Sequence, residues 1–339
     1  ITDELEGCVN LKMVDDATRV MPARSVGGGG LGLGDNVWLD EAWLAFNTDW
    51  WTPIHWTVGR QFFMVDRLGL LAWNERQSMQ GVRGKAAELW GTDLEADFFF
   101  GGAEYDLGNS LGFNNDGYGV ARLAYTRPRW SVGGTWLATG VRHEEGWSAD
   151  IWAQIGSHDI TFEYAEVLQF MDGTRWPSSA NPASAWMGCA DVIDVPGFQV
   201  RGLVSRCSGR YTMSYSAVNP YFELLQYDIG AYPGAIPWER WMRSPLILPG
   251  AQLFGGLVNF EVLGWPVEIR YAHGEPIYPG VPGWWPGYAV GNYDNVIGVS
   301  ATKKIVDGLD VTFTWARETA AVSALDDIDL LQAAAVVEF

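Results

Sequence analysis

The chain has 339 residues, among them 41 Gly, 19 Trp and 16 Pro, with 14% aromatic and only 19% charged residues. That composition excludes a disordered chain, which would be poor in aromatics and rich in charge. The net charge of -19 leaves no basic stripe to displace counterions from phosphates, so no nucleic-acid partner is expected.

No stretch approaches the ~20 consecutive apolar residues of a spanning helix. Segments of period two recur instead, separated alternately by short turns and by long loops rich in Gly, Pro, Trp and Asp. In chain order they are a weak strand near 7–15, then 37–48 and 53–62, 80–90 and 95–106, 116–127 and 130–139, and 147–156 and 158–168. There follow 197–206 and 211–217, 252–262 and 266–272, 295–304 and 309–317, and a last strand at 329–339. This makes about 16 strands of roughly 8–12 residues, the length a tilted strand needs to cross a bilayer.

Every short turn falls at one end of these strands and every long loop at the other. A soluble sandwich has no reason to keep that asymmetry, whereas a transmembrane barrel has short periplasmic turns and long outer loops. The predicted fold is therefore all-β: one transmembrane antiparallel β-barrel domain over 1–339, which also leaves no strand edge open in lipid. No basic n-region and apolar h-region precede the first strand, so an export signal is expected to be removed or to lie outside this sequence.

Trp50, Trp51, Trp90, Trp130 and Trp265 sit at or beside the short-turn ends, where an interfacial girdle would use an amphipathic ring. A second set lies in the long-loop regions: Trp73, Trp147, Trp176, Trp186, Trp238, Trp241, Trp284 and Trp285. Of these, Trp73, Trp238, Trp284 and Trp285 are candidates for stacking on sugar faces at a mouth. The competing reading packs the loops against one another or against a neighbouring protomer.

"WTVGRQFF" (56–63) ends one strand, "QSMQGVRGKAAEL" (77–89) begins the next, and "MVDRLGLLAWNER" lies between them. Here the sequence resembles bacterial outer-membrane porins: a strand ending Gly-Arg-Gln, a loop that bends into the barrel, and a strand opening with a further arginine. The resemblance implies an inward constriction loop near 62–79, a basic wall of Arg60, Arg83 and Lys85, and an acidic loop side of Asp66 and Glu75. Opposed charges in a narrow pore set up a transverse field that orients dipolar solutes and tunes ion selectivity. The loop follows about the third strand here and the fifth in general porins, so the expectation is either an incomplete N-terminus or a divergent branch closer to substrate-specific channels of the alginate-export or carbohydrate type. The resemblance further implies a homotrimer, contact with outer-membrane lipid and lipopolysaccharide, small hydrophilic solutes as cargo, and no cofactor. The final "DLLQAAAVVEF" resembles the closing strand of such barrels, with Leu331, Ala333, Ala335, Val337 and Phe339 on one face.

Acidic residues also fall within strands, at Glu41, Glu104, Glu163, Glu166, Glu261 and Glu268. Carboxylates there are expected to line a lumen or its rims and to favour cations. Catalytic patterns are weak. Gly108 to Gly112 matches G-x-S-x-G, but "FNNDGYG" follows where a nucleophile elbow needs a helix. His55, His143, His158 and His273 keep no common spacing, and Cys8, Cys189 and Cys207 form no metal or redox motif. The expectation is a channel and not an enzyme. Its rivals are a secreted, soluble all-β protein that binds or processes carbohydrate on Trp platforms, and an outer-membrane enzyme or sheath. A continuous apolar belt on the outward strand faces separates the channel from the soluble protein.

Overall fold

The computed structural model describes residues 5–13, 37–49, 51–61, 63–71, 79–103, 116–139, 145–168, 183–207, 251–276, 293–307, 309–320 and 328–337. Its strands are β1 (Leu5–Met13), β2 (Val37–Thr48), β3 (Ile54–Gln61), β4 (Met79–Ala86), β5 (Leu94–Ala103), β6 (Asp116–Arg127), β7 (Trp130–Thr139) and β8 (Glu145–Ile155). They continue as β9 (His158–Leu168), β10 (Ala183–Val195), β11 (Phe198–Cys207), β12 (Ala251–Val262), β13 (Trp265–Pro276), β14 (Tyr293–Val306), β15 (Leu309–Ala320) and β16 (Ile328–Val337). These 16 strands form one sheet in which each pairs with its neighbours in sequence order. Among the described residues no helix is long and apolar enough to cross a membrane.

The alternation of connections matches the expectation from sequence. Two-residue turns join β6 to β7, β8 to β9, β10 to β11, β12 to β13 and β14 to β15, all at the same end. At the β12–β13 turn both central residues have positive φ, Leu263 at 53° and Gly264 at 75°, the type I′ geometry that matches the twist of a hairpin. One strand differs from expectation. The segment 183–195 is β10 and pairs with β11, where the sequence reading paired 197–206 with 211–217. The 211–217 segment lies outside the described residues. The cause is a bulge: register shifts between Asp191 and Ile193, and the period-two pattern breaks there.

The chain divides into two compact units. The first comprises Ile1–Trp152, Glu163–Ser184 and Arg210–Tyr227. In its β7, Ser131, Gly133, Thr135 and Leu137 are buried, while Trp130, Val132 and Trp136 between them are exposed. In β8, Gly146, Ser148 and Asp150 are buried and Trp147 and Ile151 exposed. The exposed faces of β2, β5 and β6 likewise carry Leu44, Phe100 and Leu123. A soluble protein buries its large apolar side chains and exposes its charges. On β7 and β8 this unit instead exposes Trp130, Val132, Trp136, Trp147 and Ile151 and buries Ser131, Thr135, Ser148 and Asp150.

The second unit comprises Ala153–Phe162, Ala185–Gly209 and Asp228–Phe339. One sheet face presents Phe254, Tyr271, Ile297, Phe313 and Leu331, the last 82% exposed. Leu331 and Ala333 pair with Trp315 and Phe313, so this part of the final strand has the face expected of it; Phe339 lies outside the described residues. The other face carries Asp191, Arg201, Gln199, Asn259, Glu268 and Arg270 at alternating register positions.

At the short-turn ends, Trp51, Trp90 and Trp130 are exposed, and Trp265 packs against Phe313 with the Lys303 ammonium 5.2 Å from its ring centroid. Trp50 is outside the described residues. Trp147 and Trp186, assigned to loops from sequence, belong to β8 and β10. They stand on the exposed face beside Tyr164 and Phe162 respectively, because alternation places them out of phase with Ser148 and Met187.

Candidate functional site

The segment Phe63 to Leu71, between β3 and β4, is apolar apart from Asp66 and Arg67, and such a segment gains free energy only by docking. Phe63, Val65, Leu70 and Leu71 are each at most 4% exposed. Phe63 stacks on Phe99 of β5, with ring centroids 4.1 Å apart and planes inclined by 19°. The loop therefore lies against the polar, buried face of the first unit.

Polar contacts fix its register there. Arg67 donates from Nε to Asp150 Oδ1 at 3.0 Å and from Nη2 to Ser131 Oγ at 2.5 Å, and its guanidinium lies 6.0 Å from the Trp152 ring centroid. The Leu68 N–H donates to Glu163 Oε2 at 2.5 Å, and the Leu71 N–H to Asp66 Oδ2 at 2.6 Å. At the near end, Arg83 Nη2 donates to the Met64 carbonyl at 2.7 Å. Buried backbone groups of a loop must find partners, and here the strand side chains supply them.

Asp150 is the hub. Its side chain is fully buried, and it accepts two hydrogen bonds from Arg122 of β6 in addition to that from Arg67. A carboxylate has lone pairs for both forks, and a charge buried this deeply is tolerated only when so matched. Arg122 can lie flat because β7 has Gly133 beneath it: an added Cβ would sit 2.4 Å from Nη2. Arg122 is also within electrostatic reach of Glu163 and Asp66, whose carboxyls lie within hydrogen-bond reach of each other.

The residues expected from sequence are placed as follows. Arg83 and Lys85 share a face and meet Asp97 of β5: Arg83 forks onto its two oxygens at 2.9 and 2.6 Å, and Lys85 Nζ lies 3.9 Å away. Asp66 is buried in the docked loop. Arg60 is not brought to this face by register. It lies opposite Gln80 and Ala42, one residue out of phase with Thr57, which pairs with Arg83. Glu75, Trp73, Trp238, Trp284 and Trp285 lie outside the described residues, as do Gly108 to Gly112.

The expected polarity, basic wall against acidic loop, is only part of the arrangement. The loop contributes a cation, Arg67, and the wall contributes the carboxylates Asp150 and Glu163. Sequence reasoning passed over Arg67, Arg122, Asp97 and Asp150. One signal was available: a lone arginine in an otherwise apolar loop needs a partner wherever the loop docks. Elsewhere, Glu268 pairs with Arg270 at 2.5 Å, Glu41 accepts from Trp43 Nε1, and Glu166 accepts from Tyr164 on the exposed face.

No protein-family model and no curated protein matches the chain. Solved structures do. The chain is similar to OccK11 (OpdR) of Pseudomonas aeruginosa, with a TM-score of 0.56 and 14% identity over 90% of this chain and 82% of that one. It is similar to OccAB4 of Acinetobacter baumannii, with a TM-score of 0.54 and 11% identity over 89% and 75%. It is also similar to OccK8 (OprE) of P. aeruginosa, with a TM-score of 0.53 and 12% identity over 87% and 79%. These are outer-membrane porins. At such identities the likeness is one of fold: the all-β architecture of an outer-membrane barrel.

Proposed function

We propose that this chain, which has the fold of a bacterial outer-membrane porin, is an outer-membrane channel through which small hydrophilic solutes or ions diffuse passively. The carrying observation is the inversion of its strand faces: Leu44, Phe100, Leu123, Val132, Trp136 and Ile151 are exposed while Asp150, Glu163, Ser131 and Thr135 are buried. Lipid outside and water inside is the environment in which that pattern is stable. The rival, a soluble carbohydrate-binding protein, would have to leave those apolar side chains in water.

The pore lining belongs to this proposal. Arg83, Lys85 and Asp97 with the docked loop residue Asp66 form its narrow part, Glu75 belongs to the same acidic loop side, and Trp73, Trp238, Trp284 and Trp285 stack on solutes at its mouth. Assembly as a homotrimer and contact with lipopolysaccharide rest on the sequence resemblance. The reading assigns no catalytic step to any residue.

Fractionation and reconstitution test it. The native protein is expected in the outer-membrane fraction, to need detergent for extraction, and to give unitary current steps in a planar lipid bilayer. Recovery as a soluble protein without detergent, or a silent bilayer with correctly assembled protein, would refute it.

A further inference from the structure

The docked loop rests on two carboxyl groups that also touch each other. Glu163 of β9 is 0% exposed and Asp66 of the loop 2% exposed. Each receives one loop amide: the Leu68 N–H donates to Glu163 Oε2 at 2.5 Å and the Leu71 N–H to Asp66 Oδ2 at 2.6 Å. The other oxygen of Glu163, Oε1, is buried and meets no N–H or hydroxyl donor, while the Glu163 and Asp66 side chains are hydrogen-bonded to each other. An ionised carboxylate only accepts, so two carboxyl groups can bond only through a proton that one of them retains.

The charges around the pair call for the same proton. β8 contributes Asp150, β6 Arg122 and the loop Arg67, with both guanidinium groups hydrogen-bonded to Asp150. Among the described residues these are the charged groups gathered at Glu163 and Asp66. With one proton shared, the two arginines balance Asp150 and the single charge of the pair. Without it a net negative charge would be buried under the loop, which is costly.

We propose that Glu163 is a positioning residue of the channel: it holds the β3–β4 loop against the wall through one proton shared with Asp66, and loss of that proton releases the loop. The docked form binds one proton more than the released form, in which each carboxyl reaches water and ionises independently. Docking is therefore favoured at low pH and weakens as pH rises. The inference rests on the channel reading only for what the loop does to the current; the proton-linked docking belongs to the loop itself.

Glu163→Gln supplies the test, because an amide offers Asp66 a donor hydrogen that does not titrate while its oxygen still accepts from Leu68. Backbone hydrogen exchange of the peptide covering residues 63–71 is followed by mass spectrometry on the assembled full chain, from about pH 6 to about pH 9. Taking the ratio of wild type to Glu163→Gln at each pH cancels the intrinsic pH dependence of exchange. Wild-type protection is expected to fall relative to Glu163→Gln as pH rises, by at most about tenfold per pH unit, the limit for one released proton. Asp66→Asn is expected to behave as Glu163→Gln does, and Glu163→Ala to be unprotected at every pH. Heat-modifiable gel migration checks assembly, and if Glu163→Gln does not assemble, Asp66→Asn takes its place in the ratio. A ratio that stays flat with pH, an assembled Glu163→Gln unprotected throughout, or failure of both amide variants to assemble overturns the inference. In a planar bilayer, open-channel noise is expected to rise with pH in wild type and not in Glu163→Gln. Absence of unitary steps in assembled wild type overturns the channel reading, and the exchange ratio still decides the proton.

Discussion

Arg67 in the β3–β4 loop and Asp150 in β8 are 83 residues apart in sequence and meet through a 3.0 Å Nε to Oδ1 hydrogen bond. Because Arg122 also holds Asp150, this contact can be cut without leaving a bare buried carboxylate. Arg67→Ala should therefore spare the strands and loosen the loop, at a cost of about 1.5–3 kcal/mol for hydrogen bonds to a charged group. The expected readout is faster proteolytic cleavage within the loop and noisier open-channel current, at unchanged heat-modifiable migration. A loop as resistant as wild type would mean that Phe63 and Leu71 hold it unaided.

Gly133 sets the plane of Arg122. An alanine there would put Cβ 2.4 Å from Nη2 and drive the guanidinium off Asp150, whereas at the adjacent Gly134 the nearest neighbour of an added Cβ is the Ser148 carbonyl oxygen, 3.6 Å away. Gly133→Ala is expected to lower stability by about 1–3 kcal/mol, the range for overpacking, with Gly134→Ala close to wild type. Denaturant unfolding in detergent micelles, followed by tryptophan emission, measures the difference. Equal midpoints for the two variants would remove the steric role.

How far these features could be read in advance follows from the range of the interactions involved. Hairpins such as β14–β15 were legible because alternation and turn residues are local: Ile297, Val299 and Ala301 stay in phase, and from there the register shifts only between Lys304 and Val306, next to the turn at Asp307. β10 was not, since its bulge after Asp191 puts the two halves of the strand in opposite phase. Arg83 could be found from its strand position, but its partners, Asp97 and the Met64 carbonyl, depend on register and on loop docking. Asp150 and Arg122 were invisible for the same reason: each looks like an isolated strand charge until β6 and β8 are brought to one face. Arg60 shows the converse, since a one-residue phase difference from Thr57 decides its face.

The exposed face of β6 tests the membrane directly. Leu123 is 52% exposed and lies near the middle of its strand, opposite Ala96 and Gly134. In a soluble protein Leu123→Arg would shift stability by only about ±0.5 kcal/mol, while on a lipid-facing strand the cost approaches about 2–4 kcal/mol near the midplane. Reversible folding into phospholipid micelles, compared with Leu123→Val, is expected to show the larger penalty.

At the short-turn end of β13, Trp265 meets Phe313 at 6.1 Å and Lys303 at 5.2 Å between ring centroid and ammonium. An indole at a membrane interface has its apolar body in the acyl boundary and its N–H among headgroups, and a lysine beside it reaches the same level by snorkelling. Two contributions can then be separated. A Trp265→Ala and Lys303→Gln double-mutant cycle isolates the cation–π coupling, expected at about 0.5–1 kcal/mol for an exposed pair. The rest of the Trp265→Ala loss is interfacial anchoring, and it should shrink when the barrel is held in a detergent micelle instead of a bilayer. A loss of equal size in both hosts would assign Trp265 to packing against Phe313 alone.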